Sequence, residues 1–194
     1  VGFHRALYAG HVSEEALRTK VTSGGILTYT LSELLKRDLV DAVVHIKTSE
    51  KTGTLFEYGF SRTPEEVVQG AKSRYYPIEL SEVMDFIRKN DGRYAFVGIP
   101  CFIKTARRMC RQDKVLAERI HFFVGLVCGH LKSKAYADML AWRAGFDPAE
   151  MKTIDFRHKF KDRNSDDYGI CVEDINGNKK ELVARETPGT NWGL

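Results

Sequence analysis

Apolar residues recur along most of this chain in two alternating rhythms. After Lys20-Val21-Thr22-Ser23-Gly24-Gly25, the residues Ile26, Leu27, Thr30, Leu31, Leu34 and Leu35 repeat at helical period, so a helix starts just past the glycines. Leu80, Val83, Met84 and Ile87 put one apolar side on a second helix over residues 81–89, which Asp91-Gly92 ends. Thr63-Pro64-Glu65-Glu66 is a helix start: Thr63 caps, Pro64 fits the first helical position and Glu66 completes a capping box. Residues 101–111 read as a helix, and residues 132–144 as another that Gly145 stops. Residues 13–18 read as a short helix capped by Ser13, after a first strand or extended lead-in over residues 1–8. Between these lie short apolar or alternating runs at residues 41–46, 54–60, 93–97 and 121–127, which read as strands; residues 71–77 form a loop.

Helix and strand in alternation favour an α/β fold with a mostly parallel sheet flanked by helices. The character changes after Pro148. Residues 153–157, 168–173 and 179–184 read as strands, and Asn176-Gly177 is a hairpin turn between the last two. The expected organisation is an α/β core over residues 1–148 and a small antiparallel β element over residues 149–194, the start of a second lobe. The start at Val1 and the stop at Leu194 suggest a piece of a longer protein.

Composition narrows the class. The chain has 194 residues, 43% of them hydrophobic, which suffices for a sizeable core. A net charge of +4 is too small to imply nucleic acid. No apolar run is long enough for a transmembrane segment, and the N-terminus lacks the order of a signal peptide, so a cytoplasmic location is the expectation. Four cysteines, Cys101, Cys110, Cys128 and Cys171, are far apart and include no C-x-x-C, which argues against a disulfide framework.

Chemistry is most concentrated at Gly98-Ile99-Pro100-Cys101, directly after a buried strand. Cys101 would stand at a helix N-terminus, where free amides and the helix dipole favour a thiolate. Such a cysteine serves as metal ligand or nucleophile, or merely caps the turn. Cys128 ends the next strand, and in a parallel sheet both thiols, with Thr48 and Ser49, open onto the edge where ligands bind. Thr22-Ser23-Gly24-Gly25 before a helix is a possible phosphate cradle, although it is neither a Walker loop nor G-x-G-x-x-G. Ser73-Arg74-Tyr75-Tyr76 offers a cation, hydroxyls and two rings to a phosphate and a flat ring, or is a surface loop. Lys104, Arg107, Arg108 and Arg111 make one basic stripe, either a solvated face or an attractor for an anionic cofactor or acidic partner. Cys101 and Arg107 have the C-x5-R spacing of cysteine phosphatases, but the intervening residues read as helix, so a Cys-dependent phosphatase is a minor alternative. Zinc held by Cys101, Cys128 and His130 has no recognised ligand spacing behind it.

The ordered set of motifs resembles the beta subunit of coenzyme F420 hydrogenases and dehydrogenases. The resemblance rests on Thr22-Ser23-Gly24-Gly25, Leu39-Val40-Asp41-Ala42-Val43-Val44, Ser73-Arg74-Tyr75 and Ala95-Phe96-Val97-Gly98-Ile99-Pro100-Cys101. It continues through Gly125-Leu126-Val127-Cys128-Gly129-His130 and Asp155-Phe156-Arg157-His158-Lys159, and so covers most of the chain. Where the family pattern carries Thr and Gln around the cysteine, this chain has Ile99 and Phe102. The resemblance implies FAD and an iron–sulfur cluster (4Fe–4S). Thr22, Ser23, Gly24, Gly25, Ser73, Arg74 and Tyr75 would lie on the flavin side, and Cys101 and Cys128 would be cluster ligands. A cubane needs four ligands, so the cluster is expected to be incomplete or absent here. The resemblance implies a subunit of a flavin- and iron–sulfur-dependent oxidoreductase that passes electrons between a cluster chain and a deazaflavin coenzyme or another acceptor, with other oxidoreductase subunits or a ferredoxin as partners. The alternative is a non-catalytic binding or assembly subunit that kept the fold.

Overall fold

Gly25 shows how local conformation launches an element. It sits at φ 78°, in the left-handed region that favours glycine, and caps α2 (Ile26–Lys36), which follows the short α1 (Glu15–Lys20). The computed structural model describes residues 3–129, 131–163 and 167–187. The chain then runs through β1 (Ala42–Thr48), β2 (Phe56–Ser61), α3 (Pro64–Gln69), α4 (Ser81–Lys89), β3 (Tyr94–Gly98) and α5 (Pro100–Gln112). It continues with α6 (Lys114–Arg119), β4 (Ile120–Gly125), α7 (Lys134–Ala144), β5 (Met151–His158), β6 (Gly169–Asp174) and β7 (Lys179–Val183).

The first sheet has the order β2-β1-β3-β4. Strands β1, β3 and β4 are parallel, and β2 is an antiparallel edge strand folded back on β1. Alternation along the strands serves two cores. Val43, Ala95 and Val97 pack with Leu31, Leu34 and Val67 of α2 and α3, whereas Val44, Tyr94 and Phe96 pack with Met84, Ile87 and Leu116 of α4 and α6. β3 is buried along its whole length. Its end is level with that of β4, Gly98 standing opposite Gly125. At the other end Arg93 donates to both carboxylate oxygens of Asp41, and this contact holds the Asp41 carboxyl at about 2.

The second sheet is an antiparallel meander in the order β5-β6-β7. Ile154, Phe156, Ile170 and Val172 face α7, which contributes Ala137, Leu140, Ala141 and Ala144 to a third core together with Phe56 and Tyr76. The β6–β7 turn contains Gly177 at φ 83°, and the Asp174 carboxylate accepts the amides of Asn176 and Asn178.

Two local expectations are corrected, one alternative at the N-terminus is decided, and one further helix forms. No strand forms over residues 3–8, which are exposed coil. Ser13 does not cap a helix: α1 starts at Glu15 with Glu14 at the cap and no side-chain cap bond. Helix α6 lies within a stretch without strong apolar periodicity; the Asp113 carboxylate starts it by accepting the Val115 and Leu116 amides, and buried Leu116 anchors it. The strand expected to reach Val127 ends at Gly125, because β4 is a sheet edge with His121 and Phe122 exposed and, among the described residues, no strand paired beyond it.

Candidate functional site

Four loop segments and part of the second sheet enclose a cavity of about 600 Å³ at the carboxyl ends of β3 and β4. This is the edge where ligands enter open α/β sheets, and the volume is that of a small-molecule site. The loop before α2 supplies Thr22 to Gly25, and the loop after α3 supplies Lys72 to Tyr76. The turn after β3 contributes Gly98, Ile99 and Phe102, and the segment after β4 contributes Leu126 to Gly129. Hydrogen bonds tie these pieces together. The Ser73 amide donates to Thr22 Oγ1 at 3.2 Å, Arg157 Nη1 donates to Ser23 Oγ at 3.1 Å, and Lys159 Nζ donates to the Ser23 carbonyl at 3.2 Å. Ser23 itself is held at φ 53°, an uncommon conformation for a residue with a side chain. Beyond it Ile26, Leu27 and Thr28, the first residues of α2, line the cavity, and a helix N-terminus favours an anion.

Electrostatics point the same way. Lys72, Arg74, Lys132 and Arg157 line the cavity, and among the described residues no Asp or Glu does. Arg74 is the most constrained of the four. Its guanidinium lies 4.6 Å from the centroid of Phe56, Nη1 reaches the Ile154 carbonyl at 3.4 Å, and buried Nε has no hydrogen-bond partner. Burial pushes Arg74 down to about 10, so it stays charged at neutral pH. Lys159 is pushed down first by burial and then by Lys72, Arg18 and Arg157. Positive groups here crowd one another, as they do where an anion is to be held.

The walls are largely aromatic. Tyr136 stacks on Phe156 with ring centroids 5.9 Å apart and an interplanar angle of 11°, and Tyr75 meets Phe156 edge-on. Tyr58 stacks on Phe96 and donates its hydroxyl to the Val97 carbonyl at 3.0 Å; burial, and then Cys101, push its phenol up. His45, buried on β1, shares a 2.8 Å hydrogen bond with Ser61 Oγ. Burial drives its pKa down to about 4, so it is a neutral hydrogen-bonding group at pH 7.

Two family models match consecutive parts of the chain, and both describe the coenzyme F420 hydrogenase/dehydrogenase beta subunit. Residues 7–85 match the model of its N-terminal part, and residues 91–186 match the model of its C-terminal part. The chain belongs to the coenzyme F420 hydrogenase/dehydrogenase beta subunit family. Among solved structures it is similar to a chain of the F420-reducing [NiFe] hydrogenase complex from Methanosarcina barkeri, with 16% identity and a TM-score of 0.63. That match covers 90% of this chain and 59% of the other, so this chain spans about three fifths of its neighbour's length. No curated protein matches it in sequence.

In this member of the beta subunit family, Thr22, Ser23, Gly24, Gly25, Ser73, Arg74, Tyr75 and Cys128 all line the one cavity. Cys101 does not. It is exposed at the second position of α5, after Pro100, while its neighbours Ile99 and Phe102 face the cavity and make this wall apolar. Thr48 and Ser49 also stay outside, because β1 continues past β3 to pair with β2, and Ser49 Oγ turns to Glu57. The C-x5-R pair offers no phosphate cradle, since Cys101 and Arg107 belong to one continuous helix. The basic stripe of Lys104, Arg107, Arg108 and Arg111 lines a second, open groove with Leu126 and Val127. His130 lies outside the described residues.

A 4Fe–4S cubane does not fit the cysteines of this chain. Cys110 is nine residues along α5 from Cys101, a rise of about 13 Å, and packs against the core beneath the first sheet. Cys171 is on the middle strand of the second sheet. Two thiolates at most, Cys101 and Cys128, are left for a centre that needs four ligands.

His45, Tyr58, Lys132 and Tyr136 also line the cavity, and none of them stands out in the sequence as a site residue. His45 carries a usable signal, a lone histidine within the apolar run Ala42 to Ile46, and the others carry none.

Proposed function

We propose that this chain is the flavin-binding electron-transfer subunit of a larger oxidoreductase, holding FAD between its two sheets and exchanging electrons with a deazaflavin coenzyme. The observation that carries the reading is the cavity's charge: four cations, no carboxylate among the described residues, and the buried Arg74 Nε without a partner. These residues suit a diphosphate, and the aromatic walls suit a flat ring. Ser23, the first amides of α2, Arg74 and Arg157 would hold the phosphates. Tyr75, Tyr136 and Phe102 would bound the ring and exclude water, and His45 would offer a neutral hydrogen bond. When bound, FAD supplies exchange between two-electron and one-electron carriers. In this reading residues 1–148 form the cofactor-binding core and residues 149–194 begin a second lobe, with Arg157 reaching back to Ser23.

With at most two cysteines left for a centre that needs four, this chain would hold no iron–sulfur cluster of its own. A partner protein of the same assembly, or a ferredoxin, bearing an acidic face would dock at the basic groove on α5, beside Cys101 and the exposed Leu126 and Val127. Membership of the family supports an oxidoreductase assembly as the setting. The direct test is anaerobic mixing of FAD-loaded protein with a reduced 8-hydroxy-5-deazaflavin. Bleaching of the bound flavin's visible band, one flavin per chain, is expected. Retention of FAD without any bleaching would leave a binding or assembly subunit instead.

A further inference from the structure

The second sheet carries a group of metal-ligating side chains that the cavity does not use. Cys171, on the middle strand, stands directly opposite Asp155 on β5 and Glu181 on β7. Their neighbours Ile154, Ile170 and Val172 face the core beneath α7, so these three lie on the opposite face of the sheet. A register shift in β5 between Asp155 and His158 brings His158 into the same group. His158 Nε2 is 3.0 Å from Glu181 Oε1, and Nδ1 is 3.8 Å from Asp155 Oδ2. One ligand atom from each of His158, Cys171 and Glu181 lies within 4.8 Å of the other two.

Imidazole nitrogen, thiolate sulfur and carboxylate oxygen are the zinc donor types, with bonds of about 2.0–2.3 Å. Around one tetrahedral ion such donors stand roughly 3.5 Å apart, so small side-chain rotations close this group on a metal. Asp155 adds the outer partner that metal-bound histidines need. It faces Nδ1, which leaves Nε2 for the metal, and Lys72 fixes it from behind at 2.8 Å. His158 and Cys171 are half-buried and Glu181 is exposed, so an ion has a path in. Lys72 and Lys179 are the nearby positive groups, and each is engaged by a carboxylate, Lys72 by Asp155 and Lys179 by Glu173.

We propose that His158, Cys171 and Glu181 bind a zinc-type divalent ion across the three strands, with a fourth position open to water and Asp155 orienting His158. None of the four residues lines the cavity, so this site does not depend on the flavin reading. Binding displaces the Cys171 proton to solvent, and no redox change is involved.

Cobalt(II) titration of the purified protein, read by difference absorbance, tests the site. One equivalent should give a near-ultraviolet thiolate-to-cobalt charge-transfer band that zinc displaces. Cys171→Ser should abolish the band and Cys110→Ser should keep it. Glu181→Gln, an exposed change that leaves the sheet folded, should weaken binding at least tenfold. Asp155→Asn should weaken it by about 10- to 100-fold. Zinc should raise the melting temperature of the wild type and leave that of Cys171→Ser unchanged. Absence of the band in the folded wild type, or its survival in Cys171→Ser, would overturn the proposal.

Discussion

Arg74 is the residue on which the cavity's chemistry turns. Arg74 is half-buried, and its buried, unpartnered Nε is costly unless something negative completes the guanidinium. Arg74→Ala should therefore weaken FAD binding by about 10- to 100-fold, the effect of one charge-assisted hydrogen bond. Isothermal titration would read this, and lumiflavin, which lacks phosphates, should lose little by comparison. Gly25 makes a different prediction. A Cβ there would stand 2.7 Å from Val21 Cγ2 at a φ that side chains avoid, so Gly25→Ala should cost about 1–3 kcal/mol in urea unfolding.

His45 predicts a pH dependence. Its native pKa is about 4 against an ordinary value of 6.5. Between those values the unfolded chain takes up a proton that the native chain refuses, so stability falls as pH drops through that window. The loss is on the order of 3 kcal/mol, and His45→Gln should flatten it, as urea midpoints at pH 7 and pH 4.5 would show. Asp41 acts in a separate, lower window, losing its contribution as pH falls from 3.8 towards about 2. Part of the cavity's lining was legible where small and polar residues cluster before a helix, as at Thr22 to Gly25. It was not legible at Tyr136, an ordinary helix residue whose role comes only from stacking on Phe156.

At the scale of elements, local rules carried far. Periodicity placed α2 and α4, Gly145 ends α7 in the left-handed region, and Thr63 caps α3 by accepting the Glu66 amide at 3.3 Å. The return bond of the expected box goes from the Arg62 amide to Glu66 at 2.8 Å, one residue before the cap. Thr63→Ala should cost about 1 kcal/mol, read by thermal or urea unfolding. Helix α6 leaves no signal in the sequence because its six residues bury only Leu116, too few to set a period. β4 ends at Gly125, short of the apolar run that Leu126 and Val127 continue. Val127 is fully exposed, which marks it as groove surface and not as strand.

At the scale of the whole molecule, the sheet edge was predictable and the cavity was not. Parallel strands foretold that the segments after β3 and β4 would share an edge. The fourth wall comes from β5, more than fifty residues beyond the end of β3, and only tertiary packing brings Arg157 to Ser23. Of the two cysteines expected at the shared sheet edge, Cys128 lies in the cavity wall and Cys101 is exposed at the start of α5. The surface near Cys101 makes its own prediction. Reversing Arg107 and Arg111 to Glu should slow association with an acidic electron-transfer partner about tenfold or more at low salt, with a shallower salt dependence in stopped-flow mixing.

The inter-sheet cavity as a flavin dinucleotide site is the centre of this picture. Its most direct test is equilibrium titration of the flavin-free protein with FAD, followed by quenching of flavin fluorescence, in the wild type and in the folded Arg74→Ala variant. One FAD per chain and a clear loss of affinity in the variant are expected. Absence of binding by the folded wild type, or equal affinity in the two proteins, would contradict it.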